Sequence, residues 1–156
     1  MNLYEVLNKL EFNYEEISHE KVMTVEEAKH IENMIEGIGG KNLFLTNKKG
    51  KYVLVLMDED KKANIKDISK IAGISHLSFA HKEDLMNVLG LEEGSVTPLG
   101  IINDKDNLVL IIIDEYLKDK KILVHPNINT KTMSLEYNDL IKYIEYLNHE
   151  YLIVNL

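Results

Sequence analysis

The chain has 156 residues, no cysteine and a formal net charge of −8. That excludes disulfides, a thiolate nucleophile and thiolate metal ligation, and it weighs against a general nucleic-acid coat. At 45% hydrophobic the chain can bury the core of one domain, and its 18 basic residues are all lysines, so no bidentate arginine clamp is available for phosphate or carboxylate.

Asn2 is placed to cap a first short helix, with Leu3, Val6, Leu7 and Leu10 on one face. Residues 13–20 read as a short extended segment. Thr24-Val25-Glu26-Glu27 is a capping-box pattern that opens a helix to about Ile35, with Val25, Ala28, Ile31 and Ile35 facing inward and Gly37, Gly39 and Gly40 ending it. Residues 41–46 and 52–57 are strands joined by a hairpin turn at Asn47-Lys48-Lys49-Gly50. Asn64 caps a helix from Ile65 to Ile71, closed by Gly73. Residues 76–79 form a short strand, and residues 81–89 a helix closed by Gly90.

The next stretch, Gly94-Ser95-Val96-Thr97-Pro98-Leu99-Gly100, holds two of the eight glycines and one of the two prolines. A short rigid loop with the amides of Ser95, Val96 and Thr97 free is a place to hold a carbonyl oxygen or an anion. Residues 108–113 have no polar alternation, so they form a central strand buried on both faces. Residues 122–124 form a strand that delivers His125-Pro126-Asn127 at its end. A strand at 132–135, an amphipathic helix at 137–147 and a final strand at 151–154 complete one α/β domain with a mixed sheet, spanning 1–156. The first five residues lack the parts of a signal peptide, and the longest apolar run is too short to span a bilayer; a cytoplasmic protein is expected.

None of the six histidines shows HxH or HExxH spacing, so no metal site is expected. His125 stands apart because it ends a strand before a proline, where its ring can be fixed in a cleft. Lys41 sits between a glycine-rich turn and a strand; an ammonium there can hold a phosphate or stabilise an oxyanion. No carboxylate pair stands out as an acid/base couple. Ser95 and Thr97 lack a GxSxG elbow and read as loop hydroxyls that hydrogen-bond water or substrate. The lysine groups at 48–51, 61–62 and 118–121 read as solvated turns.

Lys41-Asn42-Leu43-Phe44-Leu45, Leu77-Ser78-Phe79-Ala80, Gly90 through Gly100, and His125-Pro126-Asn127 with Asn129-Thr130 and Thr132 occur in this order. As a set they resemble the YbaK-like aminoacyl-tRNA editing domains, nearest to the free-standing ProX-type alanyl-tRNA(Pro) deacylases related to the prolyl-tRNA synthetase insertion domain. The resemblance implies a mixed, partly barrel-like sheet with surrounding helices. It implies hydrolysis of the ester joining a wrong amino acid to the terminal adenosine of a tRNA, without metal or cofactor. It makes Lys41 the essential lysine, Gly94 through Pro98 the substrate-contacting loop, His125 the pocket histidine and Asn42 a substrate contact beside the lysine. The implied partners are the acceptor end of aminoacylated tRNA(Pro) and, transiently, a synthetase; a monomer is expected. Two alternatives stand beside this reading: a non-catalytic module that binds an amino acid or aminoacyl-tRNA, and a deacylase for Cys- or Ser-charged tRNA. If the lysine groups touch the acceptor stem, activity falls with salt.

Overall fold

The computed structural model describes residues 1–156. Its elements run α1 (Leu3–Lys9), β1 (Glu15–Ser18), α2 (Val25–Glu32), β2 (Ile38–Thr46), β3 (Tyr52–Asp58), α3 (Ile65–Ala72), β4 (Ser78–Phe79) and α4 (Lys82–Leu89). They continue through a 3-10 turn (Pro98–Asn103), β5 (Val109–Asp114), a second 3-10 turn (Glu115–Leu117), β6 (Lys121–Val124), β7 (Lys131–Glu136), α5 (Tyr137–Tyr146) and β8 (Tyr151–Val154). The mixed α/β architecture expected from the sequence is the one found. No helix is long and apolar enough to cross a membrane.

The strands form one mixed sheet in the order β1-β7-β6-β2-β3-β5-β8, with the two-residue β4 paired to the end of β2. β2 is the strand on which the sheet turns. Ile38 and Gly39 pair in parallel with β6, whereas Gly40 through Thr46 pair antiparallel with β3. β3, β5 and β8 then run parallel, with β5 between the other two.

Strand alternation divides the core. Phe44, Leu54, Leu56, Ile111 and Ile113 face α1, α4 and α5, while Leu45, Val53, Val55, Met57 and Ile112 face α3 through Ile68. Successive residues of a strand point to opposite faces, so a run such as Val109–Ile113 serves both cores at once. Leu108, at the expected start of that strand, lies outside it and is 40% exposed.

Caps follow local chemistry. The Asn2 and Asn64 side chains accept from Glu5 N at 2.9 Å and Asp67 N at 3.2 Å. Gly73 and Gly90 close α3 and α4 in the left-handed conformation that glycine adopts without penalty. A buried pair links β5 to the approach to β8: Asp104 accepts from Leu108 N and Val109 N and meets His149 Nε2 at 3.0 Å.

Four expectations change. The Thr24 hydroxyl accepts from Glu27 N at 3.1 Å, but the Glu27 carboxylate reaches Met23 N, one residue before the cap. Helix α2 ends at Glu32, and Val25 in its first turn is 73% exposed, so the inward stripe is Ala28 and Ile31, with Ile35 buried beyond the helix end. Gly39 and Gly40 lie inside β2, where they let the strand pass from one partner to the other. The end of the Gly94–Gly100 loop winds into the 3-10 turn, with Thr97 Oγ1 accepting from Leu99 N at 3.3 Å.

Candidate active site

The bend in β2 opens a cavity of about 410 Å³ between that strand, the end of β6, α2 and the Gly94–Pro98 loop. Gly39, Gly40 and Asn42 form its floor, and Val124 and His125 enter from β6. Gly94 and Val96 form the loop wall, and Ala28, Ile31 and Glu32 close it from α2. Glu59, just beyond β3, and Thr132 of β7 also line it.

The loop is held from behind. Tyr143 of α5, fully buried, donates its hydroxyl to Leu99 O at 2.6 Å. The Asn103 side chain donates to Leu89 O at 2.8 Å. A Cβ on Gly100 would meet Leu91 Cδ1 at 2.7 Å, so the turn packs against the end of α4 as only glycine permits. Gly94 sits at φ +84°, and the Asn129 amide lies 3.2 Å from where its Cβ would be. Ser95 N is spent on Glu92 O at 3.1 Å, which removes one of the three expected free amides. The Val96 and Thr97 amides donate to no protein acceptor, and Val96 is on the cavity wall. Ser95 and Thr97 are 5% and 0% exposed, and the Thr97 hydroxyl is engaged by Leu99 N.

His125 is fixed by its Nδ1, 3.0 Å from Lys131 O. A carbonyl only accepts, so Nδ1 carries the hydrogen and Nε2 keeps its lone pair. Burial, with a smaller contribution from nearby His19, lowers the pKa of His125 below the ordinary histidine value. The ring is therefore neutral at pH 7. His19 itself bridges Glu20 O and the Thr132 hydroxyl, each at 2.8 Å.

Asn42 and Lys41 are neighbours on β2 and so face opposite ways. Asn42 lines the cavity, and its Oδ1 is buried without a hydrogen-bond partner. Lys41 does not line it; its Nζ donates to the backbone carbonyl of Lys61. Lys61 in turn pairs with fully buried Asp114 at 3.0 Å. Lys41 thus ties down the loop that carries Glu59.

Of the expected site residues, the structure brings Asn42, Gly94, Val96 and His125 to one cavity. It leaves Ser95, Thr97 and Pro98 behind the wall and Lys41 across the strand. It adds Glu32 and Glu59, whose carboxylates converge beside Gly39. The available signal was Gly39-Gly40 itself, because glycine inside a strand marks close approach of another group. No group of three or more His, Cys, Asp or Glu is placed to hold a metal ion.

The aminoacyl-tRNA editing domain family matches residues 19–143. The prolyl-tRNA editing protein ProX of Acetoanaerobium sticklandii is 38% identical over 143 residues, 89% of this chain and 86% of that one. The prolyl-tRNA synthetase associated domain-containing protein 1 of Bos taurus is 32% identical over 155 residues, 96% of this chain and 90% of that one. A solved structure described as a candidate trans-editing enzyme for prolyl tRNA synthetase shares the fold, with TM-score 0.75 at 15% identity over 99% of this chain and 94% of that one. The chain belongs to the aminoacyl-tRNA editing domain family and is an aminoacyl-tRNA deacylase.

Proposed function

We propose that the chain is a trans-editing hydrolase whose substrate is Ala-tRNA(Pro), and that residues 1–156 work as one domain and as a monomer. The observation that carries the reading is the convergence on one cavity of Asn42, Gly94, Val96 and His125, drawn from three separate stretches of the chain. The 38% identity to a prolyl-tRNA editing protein supports tRNA(Pro) as the carrier. Contact with a synthetase is transient in this reading, and the working compartment is the cytoplasm.

The chemistry needs no covalent intermediate. Water attacks the ester carbonyl, and His125 Nε2 takes its proton. The negative charge that develops on the carbonyl oxygen falls to the free amides of the Gly94–Pro98 loop, where each donor is worth roughly 3 kcal/mol. The tetrahedral centre collapses, the bond to the ribose oxygen breaks, and the proton passes from His125 to that oxygen. Asn42 holds the substrate from the floor. Ser95, Thr97 and Pro98 serve by keeping the loop rigid. Lys41 is a positioning residue that fixes the Lys61 backbone and, with it, the segment bearing Glu59.

Selectivity follows from size. A synthetase pocket built for proline rejects alanine by only ~1–3 kcal/mol per missing methylene. In this reading the apolar lining of Ala28, Ile31 and Val96 takes the methyl side chain of alanine.

The test is deacylation of Ala-, Pro-, Ser- and Cys-tRNA(Pro) and of Ala-tRNA(Ala) by wild type and Lys41→Ala. Loss of alanine from tRNA(Pro), with Pro-tRNA(Pro) spared and the variant inactive but folded, is the expected result. Hydrolysis of a different amino acid would change the substrate and keep the enzyme class. Full activity of Lys41→Ala would remove the lysine from the mechanism.

A further inference from the structure

Glu32 reaches the cavity from the last turn of α2, and Glu59 reaches it from the segment after β3. A Cβ on Gly39 would fall inside contact distance of a carboxylate oxygen from each. Neither carboxylate is ion-paired with a lysine or histidine of the chain. Two such groups side by side repel when both are ionised. Glu32 is pushed up to about 7, first by burial and then by its hydrogen bond to Glu59 and that group's charge; Asp60 adds to the rise and Lys29 opposes it. The same cavity holds the buried, partnerless Oδ1 of Asn42. The two carboxylates and the Asn42 oxygen thus line one cavity; the carboxylates are hydrogen-bonded to each other, and the Asn42 oxygen has no donor from the protein. A carboxylate pair with net negative charge, in a cavity that also holds an acceptor lacking a donor, suits a compact cation with several N–H groups.

We propose that Glu32, Glu59 and the Asn42 side-chain oxygen form the subsite for the α-ammonium group of the aminoacyl ester. This rests on the deacylase reading above and adds what the cavity recognises. The α-ammonium is the one charged group every aminoacyl ester carries close to the scissile bond. Gripping it places the ester carbonyl at a fixed distance, toward the Val96 amide and His125. It also gives the enzyme a hold on alanine that does not depend on the side chain, whose methyl offers little to grip. Gly39 is the glycine that leaves room for this: a methyl there would displace the two carboxylate ends, which are flexible, at small cost to the fold.

The experiment compares an alanyl ester with the corresponding lactyl ester on the same tRNA, in which a hydroxyl replaces the ammonium. Wild type, Glu32→Gln, Glu59→Gln and Gly39→Ala are assayed, with folding checked by circular dichroism. In parallel, hydrolysis-resistant 3′-alanylamido adenosine and its N-acetyl form are titrated against each protein. Wild type should prefer the alanyl ester, and the variants should lose about 10- to 100-fold in kcat/KM on it, the range for one charge-assisted hydrogen bond. The lactyl ester should be little changed, and the free amine should outbind the acetylated analogue on wild type alone. A parallel loss on both esters, or no loss on either, would overturn the ammonium subsite and leave the deacylase standing. If wild type hydrolyses no ester, the deacylase reading fails, and the analogues still decide: amine-dependent binding lost in Glu59→Gln supports the subsite. Equal binding of both analogues, or none, overturns it.

Discussion

Gly50 and Gly94 share one backbone conformation, each at φ +84°, and have little else in common. Gly50 closes the β2–β3 hairpin, and a Cβ there would meet nothing within 4 Å. Its turn satisfies itself: the Asn47 side chain accepts from Lys49 N and Lys51 N, and Thr46 Oγ1 donates to Lys51 O. Gly94 begins a turn whose far end is tied to α5 through Tyr143, while the Val96 amide is left without an acceptor. A turn that uses its own donors is a connection. A turn held rigid from a distance with donors left over is a place for a ligand. Left-handed glycine alone does not separate the two.

Among the residues that line the cavity, the largest expected effect lies opposite the Gly94 loop. His125→Ala should lower kcat by about 10²- to 10⁴-fold, the usual range for a general base, with the thermal transition almost unmoved. A single-turnover assay reads it; a loss confined to KM would make the ring a substrate clamp. Next comes the pair of glycines. Each change to alanine puts a Cβ in the left-handed region, which costs about 1–2 kcal/mol, so both variants should lose similar stability. Gly94→Ala should also lose roughly 10²-fold in kcat/KM, as expected for an oxyanion donor shifted by about an ångström. Gly50→Ala should keep full turnover. Equal rates in the two variants would erase the distinction drawn between the turns.

The same contrast between local and distant partners explains what the sequence could and could not reveal. Asn2, Asn64, Gly73 and Gly90 act on residues within one helical turn, and those boundaries are read directly from the chain. Strand β8, Tyr151–Val154, and the two-sided burial of β5 follow from unbroken apolar runs flanked by turns. The sequence reads Gly39-Gly40 as the end of a helix, yet glycine stops a helix and bends a strand equally well, and only pairing with β6 and β3 decides which. Glu32 and Glu59 look like solvated charges in sequence. Their meeting depends on how α2 packs over the β2 bend, and no local pattern carries that. The resemblance makes Asn42 a substrate contact beside the essential Lys41, yet adjacency on a strand places them on opposite faces.

A pH profile sharpens the picture of the cavity with a smaller effect. Glu32 titrates near 7 and His125 below its ordinary 6.5. As pH falls from 8 to 5, kcat/KM should drop in two steps, first as Glu32 takes a proton and then as His125 does. Glu32→Gln should remove the upper step and keep the lower. Stability runs the other way for Glu32. Its folded value lies above the unfolded 4.5, so folding takes up a proton between the two, and stability declines as pH rises through that window. Glu32→Gln should therefore raise Tm at pH 8 and leave it nearly unchanged at pH 4. A single acid limb shared by wild type and variant would detach Glu32 from the working site.

The smallest effect belongs to the hairpin. Lys61 is already engaged with Asp114, Lys120 with the Tyr116 carbonyl and ring, and Lys121 with Glu36. Lys48, Lys49 and Lys51 are exposed and carry no such partner, which makes them the natural suspects for tRNA phosphates. Their position argues otherwise. β2 pairs Gly40 with Asp58 at the cavity end and Thr46 with Tyr52 at the hairpin end, and six residues of strand separate the two by about 20 Å. Phosphate contacts made there would have to reach the acceptor stem well away from the terminal ester. Replacing all three lysines with alanine should change kcat/KM by less than about twofold and leave its salt dependence intact, since each lost phosphate contact would flatten that slope by nearly one unit. A shallower slope in the triple variant would turn the hairpin from a self-contained connection into the docking surface, and the contrast between the two turns would then be one between binding and chemistry.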